Sequence, residues 1–178
     1  FAGHGGQTVA PAAVRSAVAD SLPDGSGLRS LGSWRFQGLP EPIELFQVGD
    51  SRAYLLRRGH LKQLTKDQSL VSKLVDDGLL TEEEAERLPA RHIILQALGS
   101  EEELDPKHDS VPVEDGDKLL LCTDGLSCLV KPAAMESILR REAPLDDQCR
   151  RLVDAAETEG GTDNITVLLA RIGPPAPR

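Results

Sequence analysis

Three aspartates, far apart in the chain, each stand at the end of an apolar run beside a residue suited to a turn. Asp124 lies in LLLCTDGLSCLV before Gly125, and Asp163 lies in GGTDNITVLLARI before Asn164. Asp50 lies in FQVGDSRAYLLRRG, in the tight turn between two predicted strands. Such placement presents carboxylates at the rim of a sheet. Hard divalent cations such as Mg²⁺ and Mn²⁺ take oxygen ligands in octahedral geometry and keep several waters, so two or three converging aspartates suffice to hold them. Metal-assisted hydrolysis is the first chemistry these residues suggest. Taken singly, each aspartate can also serve its own turn, because Asp and Asn hydrogen-bond their own backbone there.

Other reactive side chains carry less. His4, His60, His92 and His108 lack metal-ligand spacing and stand beside no nucleophile, so they read as solvated or core histidines. Ser51 and Ser127 follow no GxSxG elbow and have no paired base. Arg52 reads as a strand-end ion pair. GHGG, at residues 3–6, lacks the GK[ST] that completes a phosphate loop. TEEEAER is a solvated helix face. Cys122, Cys128 and Cys149 are too few and too irregular for a disulfide framework or a zinc site, and read as reduced core thiols.

The elements that must position the aspartates follow from periodicity. Residues 10–20 carry apolar positions at helical spacing, ended by the turn residues from Pro23 to Gly27. Pro40 and Pro42 keep the backbone extended ahead of the strand IELFQV. Residues 51–58 and 61–64 form a second hairpin about Gly59. Ser69 to Asp77 is a short helix capped by Gly78, and Thr81 with Glu84 is a capping box opening another that Pro89 terminates. Residues 117–123 are a continuous apolar run, as for a strand buried on both faces. Residues 132–141 and 144–159 are helices with proline near their starts. Ile165 to Ile172 is the last strand.

The chain has 178 residues, enough for one domain with a sizeable core, and its 39% hydrophobic but 3% aromatic composition makes that core aliphatic. No apolar run approaches the ~20 residues of a membrane-spanning helix, and the first residues of the sequence lack the basic region and apolar core expected of a signal peptide. A cytoplasmic location, with no membrane contact, is the expectation. The net charge of −9 argues against nucleic acid, which needs clustered Lys and Arg, and suits cation binding.

The three aspartate stretches, in this order and with LKQLTKDQSLV, DDGLLTEEEAERLPARHIILQALGS and VEDGDKLLLCTDGL in their places, resemble the metal-dependent serine/threonine protein phosphatases of the PPM family over about residues 48–172. The resemblance implies an α+β fold: part of a sandwich of antiparallel β-sheets flanked by helices, with the metal site at one end between the sheets. It implies two ions, Mn²⁺ or Mg²⁺, that acidify a bridging water for attack on a phosphoserine or phosphothreonine of a phosphorylated protein. Asp124 and Asp163 would be the catalytic, direct metal ligands. Asp50 would serve the metal through water or shape its turn, with Asn164 orienting the neighbouring carboxylate and Gly125 in a supporting position.

The pattern also departs from the family. The aspartate of the family's early DGxGG motif would fall at Ala2, the residue four beyond Asp124 is Cys128 where bacterial members often have a further aspartate, and the phosphate-gripping arginine has no counterpart. Severely reduced catalysis is the expectation, and the alternative function is a catalytically inactive regulatory or interaction module derived from a phosphatase. A partial sandwich leaves apolar faces and strand edges uncovered, which favours self-association. Residues 1–47, through GGQTVAPAAVRSAVADSLPDGSGLRSLGSWRFQGLPEPIELFQV, are similar to the closing segment of class III nucleotide cyclase domains, placing a seam near Gln47 and Val48. That segment carries neither the cyclase metal-binding aspartates nor its transition-state arginine, so cyclase activity is not expected. Residues 173–178 read as a disordered tail.

Overall fold

The computed structural model describes residues 42–97 and 105–173. The helix expected over residues 10–20, GHGG, the cyclase-like segment up to residue 41 and the tail from residue 174 lie outside the described residues. The fold is α+β with antiparallel sheets. Strands β1 (Ile43–Gln47), β2 (Arg52–Arg57) and β3 (His60–Gln63) precede the short helices α1 (Leu70–Asp76) and α2 (Glu82–Arg87) and a 3₁₀ turn at Pro89–His92. Strands β4 (Lys107–Val111) and β5 (Lys118–Cys122) lead into helices α3 (Asp124–Ser127), α4 (Pro132–Leu139) and α5 (Leu145–Thr158), and β6 (Val167–Arg171) closes the series.

The strands form a four-stranded sheet in the order β3-β2-β5-β6 and a separate pair, β1 with β4. Arg58 and Gly59 both have positive φ, 51° and 82°, and join β2 to β3 with the backbone twist a two-residue hairpin needs. Ser69 caps α1, accepting from the Ser72 amide, and Gly78 at φ 70° follows its end. Thr81 and Glu84 form the expected capping box, with Thr81 N–H on Glu84 Oε2 at 2.9 Å and Glu84 N–H on Thr81 Oγ1 at 3.2 Å.

Two expectations are corrected, and one strand, β4, was not read from the sequence. The Gly49–Asp50 turn does not close a hairpin, because β1 pairs with β4 rather than with β2 and the chain crosses from one sheet to the other there. Strand β4, with the sequence KHDSV, is exposed along its length until Val111 and therefore shows no apolar alternation to read. Strand β5 is fully buried on one face only: Leu120 and Cys122 are covered, whereas Leu119 and Leu121 are half-buried.

That covered face makes the core. Tyr54, Leu56, Leu120 and Cys122 pack against Leu126, Val130, Met135, Leu139, Leu152 and Ala156. Gln148, Leu152 and Ala156 recur at the spacing of one helix face and turn α5 onto the sheet, each fully buried leucine contributing roughly 1.5–3 kcal/mol. Gln148 is polar but satisfied: its Oε1 accepts from Lys118 Nζ at 3.1 Å and its Nε2 donates to the Arg141 carbonyl at 2.6 Å. The Leu139 carbonyl at the end of α4 also accepts from Lys118 Nζ, at 2.7 Å. The helices are thereby tied to the end of β5 remote from the aspartates. Among the described residues no helix is long and apolar enough to cross a membrane.

Candidate metal centre

One row of the large sheet leads the segments that carry the three aspartates to one rim. Arg52 on β2 pairs with Cys122 on β5, which pairs in turn with Val167 on β6. Asp50 lies just before Arg52, Asp124 just after Cys122, and Asp163 a short loop before Val167. Antiparallel neighbours bring the start of β2, the end of β5 and the start of β6 to the same rim.

The Asp50 turn is held from both sides. Gly49, at φ 94°, donates its N–H to Gln68 Oε1 at 2.7 Å, and its carbonyl accepts from the Gln68 N–H at 3.0 Å. Gln47 Nε2 donates to the carbonyls of Ser51 at 3.1 Å and Gly49 at 3.3 Å. Gln68 Nε2 reaches on to the Asp105 carbonyl at 3.0 Å. Both glutamines are buried, so their amides are committed to this turn. Beside it Arg52 grips Asp67 with two parallel bonds, Nε to Oδ1 at 2.8 Å and Nη2 to Oδ2 at 2.7 Å, which makes it the strand-end ion pair expected. That pairing, opposed in part by burial, holds the Arg52 pKa above its ordinary value. Burial, followed by the negative charge of Asp124, pushes the Asp50 carboxyl above the usual aspartate range.

Asp124 begins α3, and its Oδ1 accepts from the Gly125 N–H at 2.9 Å. Asp163 does the same one loop away, its Oδ1 accepting from the Asn164 N–H at 2.6 Å. The two loops touch through their backbones. A β-carbon on Gly125 would lie 2.5 Å from the Asn164 carbonyl oxygen, so only glycine permits this approach. Thr123 Oγ1 donates to that same carbonyl at 3.0 Å and accepts from the Thr166 N–H at 3.0 Å.

The structure thus brings Asp50 within electrostatic reach of Asp124 and sets the Asp163 loop against the Asp124 loop. Among the described residues no three His, Cys, Asp or Glu side chains converge as a ready-made cation cage. The donor set still fits a hard divalent cation. It consists of carboxylate oxygens, and the Asp124 charge that adds to burial in raising the Asp50 pKa is one that a bound cation would offset. Gln47, Gln68 and Thr123 were not singled out by sequence. Thr123 adjoins the Asp124–Gly125 pair and Gln47 stands two residues before Gly49, whereas nothing local to Gln68 ties it to the Asp50 turn.

Two of the histidines make their contacts elsewhere or face solvent. His108 stacks on exposed Phe46 with ring centroids 4.5 Å apart and pairs with Glu44. His60 is exposed. None of the cysteines forms a disulfide, but only Cys122 is a core thiol, with a pKa that burial pushes up to about 12. Cys128, at the C-cap of α3, is exposed, and Cys149 is half-buried.

Residues 45–173 match the family model described as stage II sporulation protein E (SpoIIE). That match takes in most of the chain, and the chain belongs to this family, within the PPM-type phosphatases. It is 42% identical over 127 residues to the serine/threonine phosphatase stp of Listeria innocua, covering 71% of this chain and 50% of that protein. The crystal structure of the Mycobacterium tuberculosis serine/threonine phosphatase PstP/Ppp superposes with a TM-score of 0.70 at 39% identity, over 75% of this chain and 56% of that one. A PstP catalytic domain solved in complex with two manganese ions superposes with a TM-score of 0.66 at 38% identity, over 76% of this chain and 55% of that one. The chain spans about half the length of the relatives it matches. Strand β1, which the sequence assigns to the N-terminal segment, pairs with β4, and the family match begins within it.

Proposed function

We propose that this chain serves metal-dependent hydrolysis of phosphoserine and phosphothreonine in proteins, with Asp124 and Asp163 as direct ligands of Mn²⁺ or Mg²⁺ and Asp50 as a further carboxylate of the same centre. The observation that carries this reading is the row Arg52–Cys122–Val167, which puts the start of β2, the end of β5 and the start of β6, next to the three aspartate-bearing segments, on one rim. The relatives named as serine/threonine phosphatases, and the manganese in one of them, support it. When bound, such ions supply acidity to water and neutralise charge on a transferring phosphoryl group. The chain's own residues do the positioning. Gln47 and Gln68 fix the turn that presents Asp50, the Arg52–Asp67 pair anchors the strand beside it, and Asn164 offers its N–H to the Asp163 carboxylate.

Titration calorimetry of the full chain with Mn²⁺, paired with turnover of p-nitrophenyl phosphate, tests the proposal. Saturable binding that Asp124→Asn and Asp163→Asn each abolish, with metal-dependent hydrolysis, is the expected result. Binding indifferent to both substitutions defeats it.

A second reading, an interaction module derived from a phosphatase, has one observation in its favour. Leu168 on β6 is 46% exposed, on the same sheet face as half-buried Leu121. Self-association through this face predicts a concentration-dependent dimer in analytical ultracentrifugation that Leu168→Lys dissolves. A monomer at all concentrations removes that reading's support. Residues 1–47 are proposed to derive from a cyclase end on the strength of their LPEP-containing run, and genomic sequence across Gln47 and Val48 decides whether the two parts are natively continuous.

A further inference from the structure

Thr123 occupies the N-cap position of α3, yet its side chain makes no capping bond to that helix. An N-cap threonine ordinarily accepts a hydrogen bond from an amide in its own first turn. Here the hydroxyl turns away and spans to the loop that carries Asp163, donating to the Asn164 carbonyl and accepting from the Thr166 N–H, both at 3.0 Å. The Thr123 backbone N–H donates to the Thr166 carbonyl at 3.1 Å, so the ladder between the two segments exists without the side chain. The hydroxyl is therefore additional to the sheet, and it fills both of its hydrogen-bonding roles on one neighbouring loop. Gly125, against the same Asn164 carbonyl, leaves that loop no room to move inward.

We propose that Thr123 is a positioning residue whose hydroxyl sets the separation of the Asp124 and Asp163 loops and thereby the affinity of the centre for a divalent cation. The inference rests on the metal-binding reading given under Proposed function. A hydroxyl that donates and accepts at once fixes the loop in two directions, which a methyl group of the same shape cannot do. Serine retains the chemistry and valine retains only the volume.

The test compares the full chain with its Thr123→Val and Thr123→Ser variants, and with Leu152→Ala as a core substitution that leaves the Thr123 hydroxyl in place. Mn²⁺ affinity is read by calorimetry and amide exchange at Thr166 by nuclear magnetic resonance in metal-free solution. Thr123→Val should weaken Mn²⁺ binding by about tenfold or more and speed Thr166 exchange, as loss of a group that orients metal ligands does, with Thr123→Ser within about threefold of wild type. Leu152→Ala should lower thermal stability and leave the affinity unchanged. The proposal is overturned by wild-type affinity in Thr123→Val, by failure of serine to restore it, or by an equal loss in Leu152→Ala. If wild type takes up no Mn²⁺, the metal reading and the affinity half of this proposal fall together. Thr166 exchange still decides the positioning half: unchanged exchange in Thr123→Val rejects it.

Discussion

Asp50 carries a raised pKa because it is partly buried and because the Asp124 carboxylate opposes its charge. Asp50 precedes β2 and Asp124 follows β5, and their proximity follows from the pairing of Arg52 with Cys122. A folded-state pKa above the unfolded value means that the contribution to stability is fully present below the unfolded pKa and is lost as pH rises through the folded one.

Asp50→Asn should therefore stabilise the metal-free chain at neutral pH, where the native aspartate is charged, and the gain should disappear as the solution is acidified through the folded pKa of Asp50. Thermal melts of both proteins across that range, in the presence of a chelator, measure it. A stability difference that grows toward acid has the wrong sign for this account. Added Mn²⁺ should raise the melting temperature of wild type more than that of Asp50→Asn.

Gly125→Ala should disturb both aspartate loops at once. The new β-carbon would meet the Asn164 carbonyl oxygen at 2.5 Å, and a backbone atom cannot step aside as a side chain can. Overpacking of this kind costs about 1–3 kcal/mol. Denaturant midpoints give the stability change, and calorimetry should show weakened Mn²⁺ binding beside it. A variant as stable and as avid as wild type would place the two loops farther apart than described.

Gln68→Ala should loosen the Asp50 turn. It removes the acceptor for the Gly49 N–H in a buried setting, at about 1–3 kcal/mol for an unsatisfied donor. Hydrogen exchange at Gly49 should accelerate, and the rise in melting temperature on adding Mn²⁺ should shrink. If exchange at Gly49 is unaltered, Gln68 does not hold this turn.

Much of the fold was legible because its signals are local. The Gly59 hairpin, the Thr81–Glu84 capping box and the proline at the start of α5 each lie within one short stretch, and all were read from local sequence. What escaped is what depends on distant partners. Gly49–Asp50 has the composition of a hairpin turn, but its hydrogen bonds go to Gln68, and nothing local reveals that β1 leaves for another strand. Strand β4 is built from exposed polar residues, so only its pairing with β1 defines it. The site shows the same division. Asp50, Asp124 and Asp163 stood out because aspartate beside a turn residue is conspicuous, whereas Thr123 and Gln68 matter through bonds that span the fold.

The register that joins Arg52, Cys122 and Val167 also has a kinetic side. The strands it unites are separated by long stretches of chain, so the loop-closure entropy of bringing them together must be met before any of the three aspartates acquires its neighbours. The hairpin of β2 with β3 can form early and alone, but by itself it assembles no cation site. Cation affinity during refolding should consequently lag behind secondary structure and rise only when β5 docks, making metal uptake a reporter of the slowest long-range step in this protein's folding.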